Sequence, residues 1–183
     1  MLQHLWSTPF LQDSFASEET VTRILSEYDI NSPSSESGTE NILDDFPDFR
    51  DNIVYPAFDK FLKLSTGKSI SDWGDYTFKG WLTGSVGGYN INFHNHRGAH
   101  LSGVFYLFCE DNASGGEISF TDPRMNSNRG YDEPFYPWFS DLRIKPKNGD
   151  FVIFPSFLYH FVNTYDGNIR LAMPVDLYLH AYK

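Results

Sequence analysis

The sequence predicts a mainly β protein with N-terminal helices, its strands folded as a double-sheet jelly roll or a related barrel. Three observations predict it. From Tyr76 onward, short apolar runs alternate with Gly, Asn, Asp and Pro. No helical periodicity lies between those runs. Aromatic residues make up 17% of the 183, with 17 Phe and 11 Tyr, which suits a β-rich core and aromatic-lined clefts. A chain of this length fills one core and falls short of two comfortable ones. Residues 1–183 therefore read as a single domain, with helical support over 1–75 and a jelly-roll core over 76–183.

Taken in order, residues 5–10 suggest a short edge strand ending at Pro9. Ser17 before Glu18 and Glu19 is a good N-cap, and Val21, Ile24, Leu25 and Tyr28 recur at helical spacing. Residues 31–39 are a polar loop. A second helix carries Val54, Phe58, Phe61 and Leu62 on one stripe and stops at Gly67. The β-like runs follow at 76–82, 89–94, 101–108, 116–121, 150–155, 158–164 and 169–178. Gly115-Gly116 and Asp166-Gly167 are turn signals between them. Pro174 points to an edge or a bulge in the last run. The connection from 122 to 149 is long and rich in Pro and aromatic residues, which predicts a packed flap serving as a substrate clamp.

A formal net charge of −10 argues against nucleic acid and anionic membrane as partners. A basic patch at Arg124, Arg129, Arg143, Lys145 and Lys147 tempers that reading without reversing it. The single cysteine, Cys109, cannot form an intramolecular disulfide and lies in an apolar run, so it reads as a packing residue. There is no signal-peptide pattern and no run long enough to span a bilayer. The expected setting is soluble and cytoplasmic.

Chemistry concentrates in the stretch from Asn90 to Leu107. His94 and His96 are two residues apart and would share one face of a strand. His160 closes a later apolar run, and Arg170 follows ten residues on. Three convergent imidazoles suit Fe(II), Zn(II) or Cu(II). A guanidinium in the same pocket suits a carboxylate. An isolated strand histidine is more often a hydrogen-bonded core or surface residue, so the weight rests on the combination.

That combination extends along the chain. His94-Asn95-His96, Leu101 to Leu107 (Leu-Ser-Gly-Val-Phe-Tyr-Leu), Gly115 to Phe120, Asp122-Pro123-Arg124, Gly149 to Ser156, His160 and Arg170 appear in that order. Together they resemble the Fe(II)/2-oxoglutarate-dependent oxygenases, in particular a small bacterial and phage branch related to prolyl hydroxylases. The resemblance covers residues 75–178. It implies a double-stranded β-helix, cupin-like, with Fe(II) as cofactor and 2-oxoglutarate and dioxygen as co-substrates. It also implies hydroxylation of an unactivated C–H, on a prolyl or other peptide side chain or a small molecule, in a bacterial or phage-infected cell. His94 matches the first metal ligand, His160 the distal one, and Arg170 the group that pairs with the far carboxylate of 2-oxoglutarate. Tyr106 matches a tyrosine that bonds the same carboxylate, Ser102 shares its strand face, and Ala172 leaves room for the co-substrate. Asn92, with Asn90, is placed to orient ligands or substrate.

The sequence departs from the pattern at His96, where the family commonly has a carboxylate. Three readings are open: His96 as a true third ligand, the one favoured here; Asp122 as the carboxylate; or His96 behind a metal with two protein ligands. His100 is a loop histidine near the site, and His4 and His180 carry no expected role. Two rival functions remain at this level. A cupin-type three-His dioxygenase that does not use 2-oxoglutarate explains His96 but not Arg170. A non-catalytic jelly-roll module predicts no succinate.

Overall fold

A computed structural model describes residues 7–16, 18–27, 41–123 and 141–180. After one short strand come the helices: α1 (Glu18–Glu27), a short α2 (Pro47–Phe49), a π-helical turn (Arg50–Val54), and α3 (Tyr55–Thr66). Gly67 ends α3 in the left-handed conformation at φ 75°, and its N–H donates to the Lys63 carbonyl, as the C-cap predicted. Ser17 and Tyr28, the expected bounds of the first helix, lie outside the described residues, and Ile24 is its buried anchor.

Twelve strands are described. They are β1 (Leu11–Ser14), β2 (Tyr76–Gly80), β3 (Thr83–Ser85), β4 (Ile91–His94), β5 (Leu101–Cys109) and β6 (Ser114–Gly115). There follow β7 (Ile118–Phe120), β8 (Leu142–Ile144), β9 (Asp150–Pro155), β10 (His160–Val162), β11 (Tyr165–Asp166) and β12 (Arg170–Leu179). The major sheet runs β1-β9-β5-β12-β2, with β3 also on β12, and the minor sheet runs β4-β10-β7-β8. All the recorded pairings are antiparallel. The two sheets form an open sandwich of jelly-roll type and do not close into a barrel.

Strand alternation places the layers. On β5, Leu101, Phe105 and Leu107 face the helices, and Val104 and Tyr106 face the minor sheet. On β12, Leu171, Met173, Val175 and Leu177 join the helical side, and Arg170, Ala172, Pro174 and Asp176 face the space between the sheets. The major sheet is thus covered on both faces, which explains why its strands read as nearly unbroken apolar runs. Gly103 lets the two layers meet: a Cβ there would sit 3.0 Å from the Phe58 ring of α3. Burial of a phenylalanine such as Phe58, which is fully enclosed, contributes about 2–3 kcal/mol.

Several expectations are corrected. The first described strand is Leu11–Ser14; of the expected 5–10, residues 5–6 lie outside the described residues and 7–10 form no strand, because Phe10 is used in packing against Phe120 and Phe154 and pairing with β9 begins only after it. Pro174 is not at an edge: β12 is central. It stands where the pairing of β12 passes from β3 to β2, and there its carbonyl accepts from Trp81 N–H. No ladder donor is needed at that break, so proline fits. Gly115-Gly116 is not a hairpin turn but a close approach, with φ of 70° and 72°; a Cβ on Gly115 would collide with the Thr164 carbonyl. The expected flap over 122–149 contains β8, which pairs with β7. Its three residues are too few to show periodicity. Residues 124–140 of that expectation lie outside the described part. No helix among the described residues is long and apolar enough to cross a membrane.

Candidate metal and co-substrate site

Between the sheets lies a cavity of about 480 Å³. One end is made by three imidazoles. His94 ends β4, His160 begins β10, and the two strands pair with these residues opposite each other. His96 lies two residues beyond the end of β4, not on the strand as expected, and is fixed by its backbone N–H donating to the Ser156 carbonyl. Ring centroids are 4.3 Å apart for His94–His160, 5.1 Å for His96–His160 and 5.3 Å for His94–His96. One ring nitrogen from each lies within 4.8 Å of the others.

Each ring is also fixed from behind. His94 Nδ1 donates to the Asn92 carbonyl at 2.7 Å, and His160 Nδ1 donates to the Leu158 carbonyl at 3.0 Å. His96 Nδ1 donates to Asp176 Oδ1 at 2.6 Å. With Nδ1 committed in all three, the Nε2 lone pairs are the ones left to bind a cation. Burial pushes the His160 imidazole down to about 3, and the nearby His94 and His96 add to the effect. Burial also lowers His94. Both therefore stay neutral near pH 7, the state a metal ligand needs. Asp122 lies outside this cluster among the described residues.

The other end is made by Arg170 and Tyr106. Arg170 is 3% exposed, donates from Nη1 to the Gly116 carbonyl at 2.6 Å and from Nη2 to Ser85 Oγ at 3.3 Å, and has no carboxylate partner among the described residues. Its Nε and the Tyr106 hydroxyl are buried with no hydrogen-bond partner among those residues. The guanidinium carbon lies 5.8 Å from the Tyr106 ring centroid. Burial raises the Tyr106 phenol, so it stays protonated and able to donate. Gly116 makes room here: a Cβ would sit 2.9 Å from the Tyr165 ring and 3.6 Å from Arg170 Nη1. Ala172 lines the wall between the two ends.

Two expected pocket residues are placed elsewhere. Ser102 shares the inward face of β5 with Tyr106, but its hydroxyl donates to Asp176 Oδ1 at 2.6 Å and meets Ser156 Oγ at 2.7 Å, so it stands behind His96. Asn92 is exposed and contributes its carbonyl, not its side chain; Asn90 is exposed too. His100 is exposed, with Nδ1 accepting from Leu179 N–H, and His180 meets Thr77. His4 lies outside the described residues. Asp176, Ser156 and Ser85 were not foreseen. The signal for Asp176 was present: a single acid in the apolar run 171–179, an even number of residues from Arg170. Cys109 is buried, and burial pushes its thiol up to about 11, so it stays protonated and inert.

Comparison with known proteins agrees with the cavity. No curated protein matches the chain at the level of sequence. Many solved structures share the fold, three of them as follows. A Pseudomonas putida prolyl-4-hydroxylase has a TM-score of 0.61 at 16% identity, covering 98% of this chain and 90% of that one. A collagen prolyl hydroxylase of Paramecium Bursaria Chlorella virus-1, solved with 2-oxoglutarate, has a TM-score of 0.56 at 14% identity over 92% and 95%. A Burkholderia pseudomallei oxidoreductase of the 2OG-Fe(II) oxygenase family has a TM-score of 0.52 at 15% identity, over 75% of this chain and only 55% of that one. At the level of family, residues 79–176 match the signature described as "Putative 2OG-Fe(II) oxygenase", which spans both ends of the cavity and more than half of the sequence. The chain belongs to the 2OG-Fe(II) oxygenases, enzymes dependent on Fe(II) and 2-oxoglutarate.

Proposed function

We propose that His94, His96 and His160 hold Fe(II), that Arg170 and Tyr106 hold the far carboxylate of 2-oxoglutarate, and that the enzyme hydroxylates an unactivated C–H of a peptide side chain. The observation that carries this reading is Arg170. Enclosing a guanidinium away from water is costly unless an anion meets it. This one is enclosed without a carboxylate of its own among the described residues, in the same cavity as three imidazoles. A planar fork beside an unpartnered phenol fits a terminal carboxylate. The cupin-type alternative leaves that arrangement without a purpose.

When bound, Fe(II) supplies the oxidative chemistry: dioxygen and 2-oxoglutarate are consumed, succinate and carbon dioxide are released, and one oxygen atom enters the substrate C–H bond. The chain's own part is positional. Three imidazoles with fixed tautomers present lone pairs without reorganising. Arg170, fixed by Gly116 and Ser85, sets where the co-substrate ends. Val104, Ile118, Val162 and Ala172 give the cavity apolar wall. A prolyl or similar side chain is the proposed target, supported by the fold shared with two prolyl hydroxylases. The cytoplasm of a bacterial or phage-infected cell is the proposed setting, consistent with a buried, unpaired cysteine.

The test is an anaerobic titration of metal-free protein with Fe(II) and then 2-oxoglutarate, read by the visible charge-transfer band of the chelate. A band in the wild type that disappears in Arg170→Ala supports the assignment. Tight iron binding with no band at any 2-oxoglutarate concentration would overturn the co-substrate assignment.

A further inference from the structure

Three histidines leave a divalent metal with one more positive charge than two histidines and a carboxylate would. The cavity holds an answer to that difference. Asp176, in the middle of β12, is 6% exposed, and its Oδ1 accepts from His96 Nδ1 at 2.6 Å. The same oxygen accepts from Ser102 Oγ at 2.6 Å. Ser102 is fully buried, and its own proton is committed to Asp176, so at 2.7 Å Ser156 must be the donor to Ser102. A polar chain, Ser156 to Ser102 to Asp176 to His96, thus runs from the sheet interior to the metal-facing ring. A buried acid is expensive unless hydrogen bonds meet it, and those that meet Asp176 come from His96 and Ser102.

We infer that Asp176 is a positioning residue that supplies, through His96, the negative charge the metal centre lacks from its direct ligands. A carboxylate accepting the Nδ1 proton fixes the His96 tautomer and raises the basicity of Nε2. The ring then donates to the metal more as a carboxylate would. Of the three imidazoles, only His96 is backed by a charge; His94 and His160 have neutral carbonyls behind them. The charged support is therefore at the position where the sequence replaces the family's usual acid. This inference rests on the metal-centre assignment above and concerns how that centre is tuned.

The experiment compares wild type, Asp176→Asn and Ser102→Ala. Metal-free protein is first checked by circular dichroism and thermal melting. Each protein is then titrated anaerobically with Co(II) for affinity, and with Fe(II) plus 2-oxoglutarate for the position of the charge-transfer band. Asp176→Asn keeps the size and an acceptor for His96 but removes the charge. The expected result is a roughly 10–100-fold weaker metal affinity and a band moved to shorter wavelength, because a poorer donor set holds the metal electrons more tightly. A purely structural role would move the melting curve and leave the band in place. Ser102→Ala, which keeps the charge but loosens it, is expected to weaken affinity only a few-fold, and it becomes the deciding variant if Asp176→Asn does not fold. Wild-type affinity and an unmoved band in the folded variants overturn the role of Asp176. Failure of the wild type itself to bind metal overturns the metal-centre assignment instead, so the two failures are distinct.

Discussion

The two ends of the cavity are in opposite states. At the histidine end every inner nitrogen has an acceptor: two backbone carbonyls and one carboxylate hold the three rings. At the arginine end, Arg170 Nε and the Tyr106 hydroxyl are enclosed and meet no partner among the described residues. The first end is complete without a ligand in everything but the cation. The second is completed only by one. The difference teaches where specificity is set. A preorganised donor cluster selects by element and charge, whereas an enclosed guanidinium and phenol with donors left over select by the shape of an anion and penalise anything that leaves them unpaired.

The comparison can be broken most directly at the histidine end. His160→Ala should lose metal affinity by more than the ~10–100-fold that removing an outer partner costs, because a ligand itself is gone. Isothermal titration with Co(II) measures it, and a loss of only a few-fold would mean that His160 is not a ligand. Acid should act on the same end. The folded His160 is held down at about 3, against an ordinary value near 6.5. Between those values the unfolded chain binds the proton more readily, so stability is fully present above pH 6.5 and is lost as pH falls toward 3. The loss has an upper bound of order 5 kcal/mol. Urea melts of metal-free protein at pH 7 and pH 4 check the sign.

At the arginine end the effects are smaller and separable. Arg170→Ala should weaken 2-oxoglutarate binding by roughly 100-fold, the worth of a charge-assisted pair, without changing Co(II) affinity in the absence of co-substrate. Arg170→Lys should rescue little, since a point charge does not replace a fork. Tyr106→Phe sharpens the contrast most finely. Co-substrate affinity should fall by about 10-fold, yet metal-free stability should hold or rise by up to ~1 kcal/mol, because a buried hydroxyl without a partner is removed. A drop in stability would mean that the hydroxyl is satisfied in the free enzyme.

The sequence made the long strands legible because each carries enough alternating or continuous apolar residues to show its period: β5, β9 and β12 fall where expected. It hid β3, β6, β8 and β11, which have two or three residues each and in β3 consist of Thr, Gly and Ser. The histidines and Arg170 stood out by chemistry and are brought to one cavity. The sequence places Ser102 on the correct face of β5 but leaves its depth open. Period two fixes which side a residue faces and says nothing about how far along the strand a pocket extends. At Asn92 the backbone acts and not the side chain, which no composition signal reveals. Asp176 was obscured because its partner His96 is 80 positions away and on no regular element.

One strand, β12, serves both ends of the cavity. Arg170 and Asp176 are six residues apart on its inward face, about 20 Å of extended backbone. An extended strand in mid-sheet, bonded along both flanks, neither stretches nor slides, so it works as a ruler with one mark at the fork and another behind the metal-facing ring. Deleting one residue between the marks would turn one of the two side chains outward, because each step reverses direction. The spacing of the two binding functions can therefore change only in pairs of residues. That coarse increment holds Arg170 and Asp176 at a set separation along the cavity.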